Sequence, residues 1–390
     1  MYKIQTLNNI SPLGLARLPK DNYEVGGEFE APDAYILRSF KMQGMEVPAS
    51  VVAVARAGAG TNNIPVDEYA KKGIVVFNTP GANANAVKEL VLAGMLVGAR
   101  NISQAAAFAR SLEGTDEEIT KAVEAGKKNF VGFELPGKTL GVIGLGAIGG
   151  GVANSAVALG MHVIGYDPAI TINAAWNLSS QVERVNDVEE IFKRADVVTV
   201  HVPLIEATKG LVNADRLAMM RPNATILNFA RAGIVDDAAI TEALDAGKLG
   251  SYVCDFPSNA LKGNPRVLAL PHLGASTNEA EDNCAVMAAQ ELRDYLENGN
   301  ITNSVNFPEA QLHAKEAGEA RLAIASDNGP DTVAKLTGAI SAAGLAVRHM
   351  VHKSRGDLDY TLIDVPAPVP ADVADNLRSL PGVRNVRVIA

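Results

Sequence analysis

Residues 141–167, GVIGLGAIGGGVANSAVALGMHVIGYD, constrain the fold more than any other stretch of the chain. Leu140, Val142 and Ile143 make an apolar run that suits a buried parallel strand. Gly144, Gly146 and Gly149 follow in G-x-G-x-x-G spacing, then an Ala-rich segment of helical character and a second apolar strand that ends at Asp167. Gly144 permits a tight turn out of the strand, Gly146 lets backbone approach a pyrophosphate, and Gly149 lets the helix pack closely on the sheet. The phosphates would meet the unpaired N–H groups of Ala147 and Ile148 at the helix start. Asp167 lies near the roughly 20-residue offset at which an acid binds a ribose 2′-hydroxyl. A glycine spacing alone is weak evidence. With strand, helix, second strand and acid in order, it predicts a dinucleotide-binding βαβ unit. An acid in place of an arginine selects NAD over NADP, because it would repel a 2′-phosphate.

Length and composition bound the rest. A chain of 390 residues suggests roughly two to three domains. The net charge of −9, with no basic stripe, argues against nucleic-acid binding. Cys254 and Cys284 have neither disulfide-framework nor metal-site spacing, which fits a reducing compartment and predicts no metal. The N-terminal segment lacks a signal-like apolar core and no run approaches 18 apolar residues, so a cytoplasmic protein without a membrane span is expected.

Along the first ninety residues, apolar runs at 34–37, 51–55 and 74–77 alternate with polar segments, as in a parallel α/β sheet. The first run ends in Arg38-Ser39 and the second in Arg56-Ala57-Gly58. Ligands bind outside the carboxyl ends of such strands, so two arginines beside a Gly-rich loop would suit a small anionic substrate. The turn-rich loop that ends at Asn83 leads to a long helix expected over 85–110, followed by an exposed polar stretch at 111–130.

After Asp167-Pro168, strands at 197–200, 224–229, 250–255 and 267–269 end in loops that carry His201, Val202, Pro203, Thr208, Phe229, Ala230, Arg231, Asp255, His272 and Gly274. A long helix is expected over 277–298. Residues 319–390 read β-α-β-β-α-β, the ferredoxin-like pattern. The expected fold is therefore α/β: two Rossmann-like doubly wound parallel-sheet domains plus a C-terminal ferredoxin-like α+β domain.

The motifs RSFK (38–41), ARAGAGTNNI (55–64), FNTPGANANAVKEL (77–90), GLGAIGG (144–150), HVPLIEATKGLVN (201–213), NFARAGIVDD (228–237) and PHLGAST (271–277), in this order, resemble those of the D-isomer-specific 2-hydroxyacid dehydrogenases. The resemblance implies a discontinuous substrate-binding domain (1–95 and 277–308), an NAD-binding domain (96–276), a linker (309–318) and an ACT-like regulatory or oligomerisation domain (319–390). It implies an active site between the first two. It assigns His272 as the base that takes the hydroxyl proton, a task suited to a side chain that titrates near neutrality. Arg231 becomes the cation that grips the carboxylate through its planar fork. Gly144, Gly146, Ala147, Ile148, Gly149, Asp167, Pro168, His201, Val202, Pro203, Thr208, Phe229, Ala230, Arg231, Asp255, His272 and Gly274 would line the cofactor. Arg38, Ser39, Arg56, Ala57, Gly58 and Asn83 resemble the anion-binding positions of members that oxidise 3-phosphoglycerate, a step of serine synthesis. A homodimer or homotetramer is implied as well.

One position departs from the pattern. The family's D-V-F-P-x-E appears as Cys254-Asp255-Phe256-Pro257-Ser258-Asn259, so Asn259 stands where a glutamate should orient the histidine. An amide can accept the imidazole N–H but cannot stabilise imidazolium as a carboxylate does. Asp255 could take over the role, another acid could, or the histidine could work without one. The alternatives to phosphoglycerate oxidation are turnover of another small acid, such as glyoxylate, hydroxypyruvate or D-lactate, and a catalytically quiet NAD-sensing protein. At 326–331 the loop SDNGPD keeps Asn328 and Pro330 of a serine-sensing loop but lacks its histidine.

Overall fold

The structure, a computed structural model, describes residues 1–390. It divides into two compact units, residues 1–83 with 278–390, and residues 84–277.

Unit one begins with β1 (Tyr2–Thr6), α1 (Pro12–Leu15), β2 (Tyr23–Gly26), β3 (Ala34–Leu37), β4 (Ala53–Arg56), α2 (Val66–Lys71) and β5 (Val75–Phe77). The five strands are parallel in the order β2-β1-β3-β4-β5, a doubly wound arrangement. The apolar runs named from sequence are β3, β4 and β5, all nearly or fully buried. Two further strands, β1 and β2, escaped that reading. Each carries a single fully buried side chain, Ile4 or Tyr23, interrupted by polar residues, and so lacks a continuous apolar run.

Unit two comprises α3 (Ala84–Ala99), α4 (Ile102–Arg110), α5 (Asp116–Gly126), a 3-10 turn (Lys127–Phe130), β6 (Thr139–Ile143), α6 (Ala147–Ala158), β7 (His162–Tyr166), α7 (Ile172–Trp176), β8 (Val182–Arg184), α8 (Val188–Arg194), β9 (Val197–Val200), α9 (Ala214–Met219), β10 (Ala224–Asn228), α10 (Asp237–Asp245), β11 (Leu249–Cys254) and β12 (Val267–Ala269). Its seven strands are parallel in the order β8-β7-β6-β9-β10-β11-β12. The strand order reverses beside β6 and β9, which opens a crevice outside their carboxyl ends.

Two expectations change here. The single helix expected over 85–110 is broken, with α3 and α4 meeting at a 65° bend. Asn101 between them sits at φ 51, a left-handed conformation that asparagine tolerates better than most residues, and its side chain donates to the Val131 carbonyl at 3.2 Å. The expected domain boundary at residue 95 falls inside α3, which belongs wholly to unit two. Close packing is the reason. A Cβ on Gly94 would lie 2.8 Å from the Phe229 ring, so α3 rests directly on the residues that follow β10. The polar stretch at 111–130 is mostly exposed, in line with its composition. It contains α5, started by a reciprocal capping box between Thr115 and Glu118. No single helix is long and apolar enough to cross a membrane.

Unit one is completed by α11 (Asn278–Asn298), β13 (Glu319–Asp327), α12 (Thr332–Ala342), β14 (His349–Arg355), β15 (Leu358–Pro366), α13 (Ala371–Arg378) and β16 (Val383–Ile389). The four strands pair antiparallel in the order β14-β15-β13-β16, the ferredoxin-like topology. One sheet face packs Leu322, Ile324, Ile363 and Val365 on α12 and α13. The other joins Ala323, Ala325, Tyr360 and Leu362 to a core shared with Tyr295, Phe307, Ile36 and Phe77. Thus the C-terminal sheet is welded to the first sheet rather than tethered to it. Fully buried Arg321 pairs with both oxygens of Asp364, at 2.7 and 2.9 Å, and donates to the carbonyls of Asn298 and His313. The expected linker at 309–318 is pinned by that bond and by mutual backbone bonds between Ile301 and Ala310.

Candidate active site

The glycine loop between β6 and α6 is shaped by close approaches. Gly144 has φ +91, and a Cβ there would lie 2.5 Å from the His201 carbonyl oxygen. A Cβ on Gly149 would lie 1.9 Å from the Gly144 carbonyl oxygen. Around Gly146 the protein leaves a Cβ-sized space empty, with nothing within 4 Å. The first helical bond of α6 runs from Gly150 to Gly146 at 2.9 Å, so the amides of 147–149 precede the ladder and are available to an anion. Asp167 ends β7. One of its oxygens accepts from the Leu145 amide at 2.8 Å and the other from Ala169 at 2.9 Å, which ties it to the loop. These features fit a dinucleotide: an empty place over Gly146, helix-start amides ahead of the ladder and an acid just after the second strand.

Four neighbouring strands, β9 to β12, bring the remaining cofactor candidates to the same sheet edge. After β9, His201 bonds to the fully buried Thr199 hydroxyl at 2.9 Å, and burial pushes its pKa down to about 4. It is a neutral imidazole at physiological pH. Val202 is half-buried, Pro203 is exposed, and the Thr208 hydroxyl closes the loop by donating to the Pro203 carbonyl and accepting from Ile205. After β10, buried Asn228 accepts from the Ala230 amide at 3.1 Å and donates to the Arg231 carbonyl at 3.0 Å. Phe229 is thereby turned into the core while the Arg231 side chain is left exposed.

Asp255, after β11, is 1% exposed, and its carboxylate is spent on its own sheet edge. It accepts from the Leu273 amide at 2.8 Å and from the Gly274 amide at 2.9 Å. This clamp holds the loop in which His272 adopts φ 56, a conformation uncommon outside glycine. Asp255 therefore positions the histidine's backbone and makes no bond to its ring. The ring packs edge-on against Phe256, centroids 5.1 Å apart, and is exposed. Asn259 is exposed too and makes no hydrogen bond to His272. Neither residue is bonded to the imidazole, and no other acid side chain is bonded to it. Asp255 and Asn228 were legible only in part. Their buried, turn-clamping roles need a tertiary partner and have no fixed spacing in sequence.

In unit one, β3 and β4 are in register at Leu37 and Arg56, which puts Arg38 and Arg56 at adjacent carboxyl ends. The Arg56 Nε donates to the Arg38 carbonyl at 3.1 Å. Its guanidinium fills the space over Gly58 (φ +152), where a Cβ would come within 2.1 Å of Nη1. Arg38 forms an ion pair with Glu281 of α11, a partner the motif spacing could not reveal. Ser39 is exposed and accepts a long bond from Asn8 at 3.4 Å, Ala57 is buried, and Asn83 is half-buried at the end of this segment. In the C-terminal sheet, Asn328 is occupied in bonds to the turn between β14 and β15, from its amide to Asp357 and from its side chain to Gly356.

Residues 95–274 match the family described as D-isomer specific 2-hydroxyacid dehydrogenase, NAD binding domain. The D-3-phosphoglycerate dehydrogenase of Methanocaldococcus jannaschii is 40% identical over 277 residues, 69% of this chain and 50% of that protein. The chain spans about half the length of this and several other curated relatives. The enzyme of the same description from Haemophilus influenzae is 32% identical over 357 residues, 88% of this chain and 83% of that one. Among solved structures, the NAD+-bound 3-phosphoglycerate dehydrogenase of Entamoeba histolytica is similar with a TM-score of 0.60 at 27% identity, covering 78% of this chain and 98% of that one. The matched domain, the extent of the Haemophilus alignment and a glycine loop shaped for a dinucleotide agree: this chain belongs to the D-isomer specific 2-hydroxyacid dehydrogenase family.

Proposed function

We propose that the chain catalyses the reversible NAD-dependent oxidation of D-3-phosphoglycerate to 3-phosphohydroxypyruvate, the entry to serine synthesis. The observation that carries the substrate is the pair Arg38 and Arg56 at adjacent strand ends, beside the Gly58 turn. Two guanidinium groups of this kind favour a dianionic phosphate over a second neutral hydroxyl. NAD supplies the hydride acceptor. His272 takes the proton of the C2 hydroxyl on a ring nitrogen, and Arg231 holds the carboxylate so that C2 is fixed. Pro168, Val202, Pro203 and Gly274 serve as lining for the cofactor.

The test is NADH consumption over a panel of 2-oxo acids with and without a phosphate. 3-Phosphohydroxypyruvate should be preferred by at least tenfold in kcat/KM over glyoxylate, hydroxypyruvate and pyruvate, and Arg38→Ala should abolish that preference. His272→Ala should lower kcat by about 10³-fold, within the range for a lost general base. Preference for an unphosphorylated acid would replace the substrate and keep the chemistry.

A second reading, an NAD-sensing protein without turnover, is favoured by the exposed Asn259 and the absence of an acid on His272. NAD binding with no NADH consumption on any acid of the panel would select it. Self-association into a homodimer or homotetramer belongs to the same proposal. Its support is that α4 and α5 bury no side chain within the chain and expose Ile102 and Val123, with exposed Val131 just beyond the 3-10 turn that follows.

A further inference from the structure

We propose that Glu291, in the middle of α11, is a positioning residue for the anion-binding loop, holding it through Asn303 and Asn78. The proposal rests on the phosphate reading above and extends it to a residue without any motif. Glu291 is 7% exposed, and its Oε1 accepts from the Asn303 side-chain amide at 2.6 Å. Asn303 is held at φ 57 and turns its carbonyl to the Asn78 amide, which donates at 3.3 Å. The Asn78 side chain then donates to the Ala59 carbonyl at 2.6 Å, and the Thr79 amide to the Gly58 carbonyl at 3.2 Å. The turn over which the Arg56 guanidinium lies is thus braced from behind. The chain of bonds begins at Glu291.

Three further observations single out this carboxyl. Its second oxygen has no hydrogen-bond partner, so the bond from Asn303 is the carboxyl's one hydrogen bond. Burial pushes its pKa up to about 8, so near neutrality it is an uncharged acid and needs no counter-ion. The segment it braces also covers the open edge of the first sheet. Val305 donates to the Val76 carbonyl at 2.9 Å, and the Val76 amide donates to the Asn306 side chain at 3.0 Å. Arg355 of β14 donates to the Ser304 carbonyl at 2.8 Å, so the C-terminal sheet grips the same segment.

The experiment combines kinetics with amide hydrogen exchange on the full chain. Glu291→Ala should raise KM for 3-phosphohydroxypyruvate by at least fivefold, with kcat and KM for NADH within twofold of wild type. Glu291→Gln keeps an oxygen for Asn303 and should restore KM. Asn303→Gly accepts the left-handed conformation but cannot reach Glu291, so it should share the Ala phenotype even if Glu291→Ala folds poorly. Independently of any substrate, exchange at Asn78 and Thr79 should quicken at least tenfold in Glu291→Ala and Asn303→Gly, and not in Glu291→Gln. Unchanged exchange in all three variants overturns the positioning role. So does an equal loss in the Gln and Ala variants, which would mark a packing effect. A wild type that ignores 3-phosphohydroxypyruvate removes the phosphate reading alone, because the exchange measurement still decides the role of Glu291.

Discussion

Two glycine-rich turns leave the carboxyl ends of parallel strands in this molecule, and they are stabilised in opposite ways. The loop at 144–149 is closed by its own neighbourhood. Gly149 abuts Gly144, Leu145 is held by Asp167 twenty-two residues later, and the helix that follows presents its amides directly. The turn at 56–60 is closed from a distance. Its carbonyls are held by Asn78 and Thr79, Asn78 is held by Asn303, and the Arg38 beside it is paired with Glu281. A turn made locally can be recognised from a short motif. A turn made by distant partners has its determinants scattered over some 250 residues, and only its glycines and arginines stand together.

The sharpest way to break the comparison is at the local turn. Gly149→Val should destabilise the chain by about 4 kcal/mol or more, because its Cβ would meet backbone at 1.9 Å and overpacked backbone cannot relax as a side chain can. Urea unfolding reads this. Gly146→Ala, whose Cβ meets nothing in the protein, should leave the urea midpoint nearly unchanged and weaken NAD binding at least tenfold by isothermal titration. Equal effects of the two substitutions on stability would show that the loop is not shaped for a ligand.

At the distant turn, Gly58→Ala should act on substrate alone. Its Cβ would displace the Arg56 guanidinium, at an expected loss of about 2–3 kcal/mol in kcat/KM for the phosphorylated acid, the scale of a charge-assisted bond, with NADH affinity retained. A matching loss of NADH affinity would mean that the two turns are not independent.

A pH-dependent effect concerns His201, which lies against the local turn. Its folded pKa of about 4 is below the ordinary value of 6.5. The stability linked to its neutral form is therefore complete above pH 6.5 and is lost as pH falls towards 4, where the unfolded chain binds the proton more readily. The loss should reach about 2 kcal/mol, and it should be smaller in His201→Gln, which cannot titrate. Urea midpoints at pH 7 and pH 4.5 check the difference.

The same contrast explains which parts of the fold could be read in advance. The buried strands β6, β9 and β10 are mostly apolar, and β13 to β16 follow a recognisable order, so both sheets are legible in the sequence. The strands β1 and β2 were not, because one buried residue among polar ones carries no periodic signal. The break at Asn101 was missed because its Ala- and Leu-rich flanks favour helix on both sides, and the left-handed turn is imposed where the returning chain crosses. A Cβ on Gly132 would lie 2.1 Å from the Ala99 carbonyl. The sequence places Asp255 after β11, but only the fold shows that its two oxygens clamp the amides that follow His272.

By itself, the sequence determined the βαβ unit with an acid after its second strand, the family, and the identity of the arginines and the histidine at the strand ends. These depend on short-range spacing and on side-chain chemistry, both of which are present in the unfolded chain. The tertiary structure alone decided that α3 packs with the sheet of unit two, that the C-terminal sheet shares a core with the first, and that Glu291 stands behind the turn at 56–60. Each of those outcomes rests on burial between segments far apart in sequence. A buried carboxyl such as Glu291, or a buried guanidinium such as Arg321, is indistinguishable from a surface charge until the chain has closed around it.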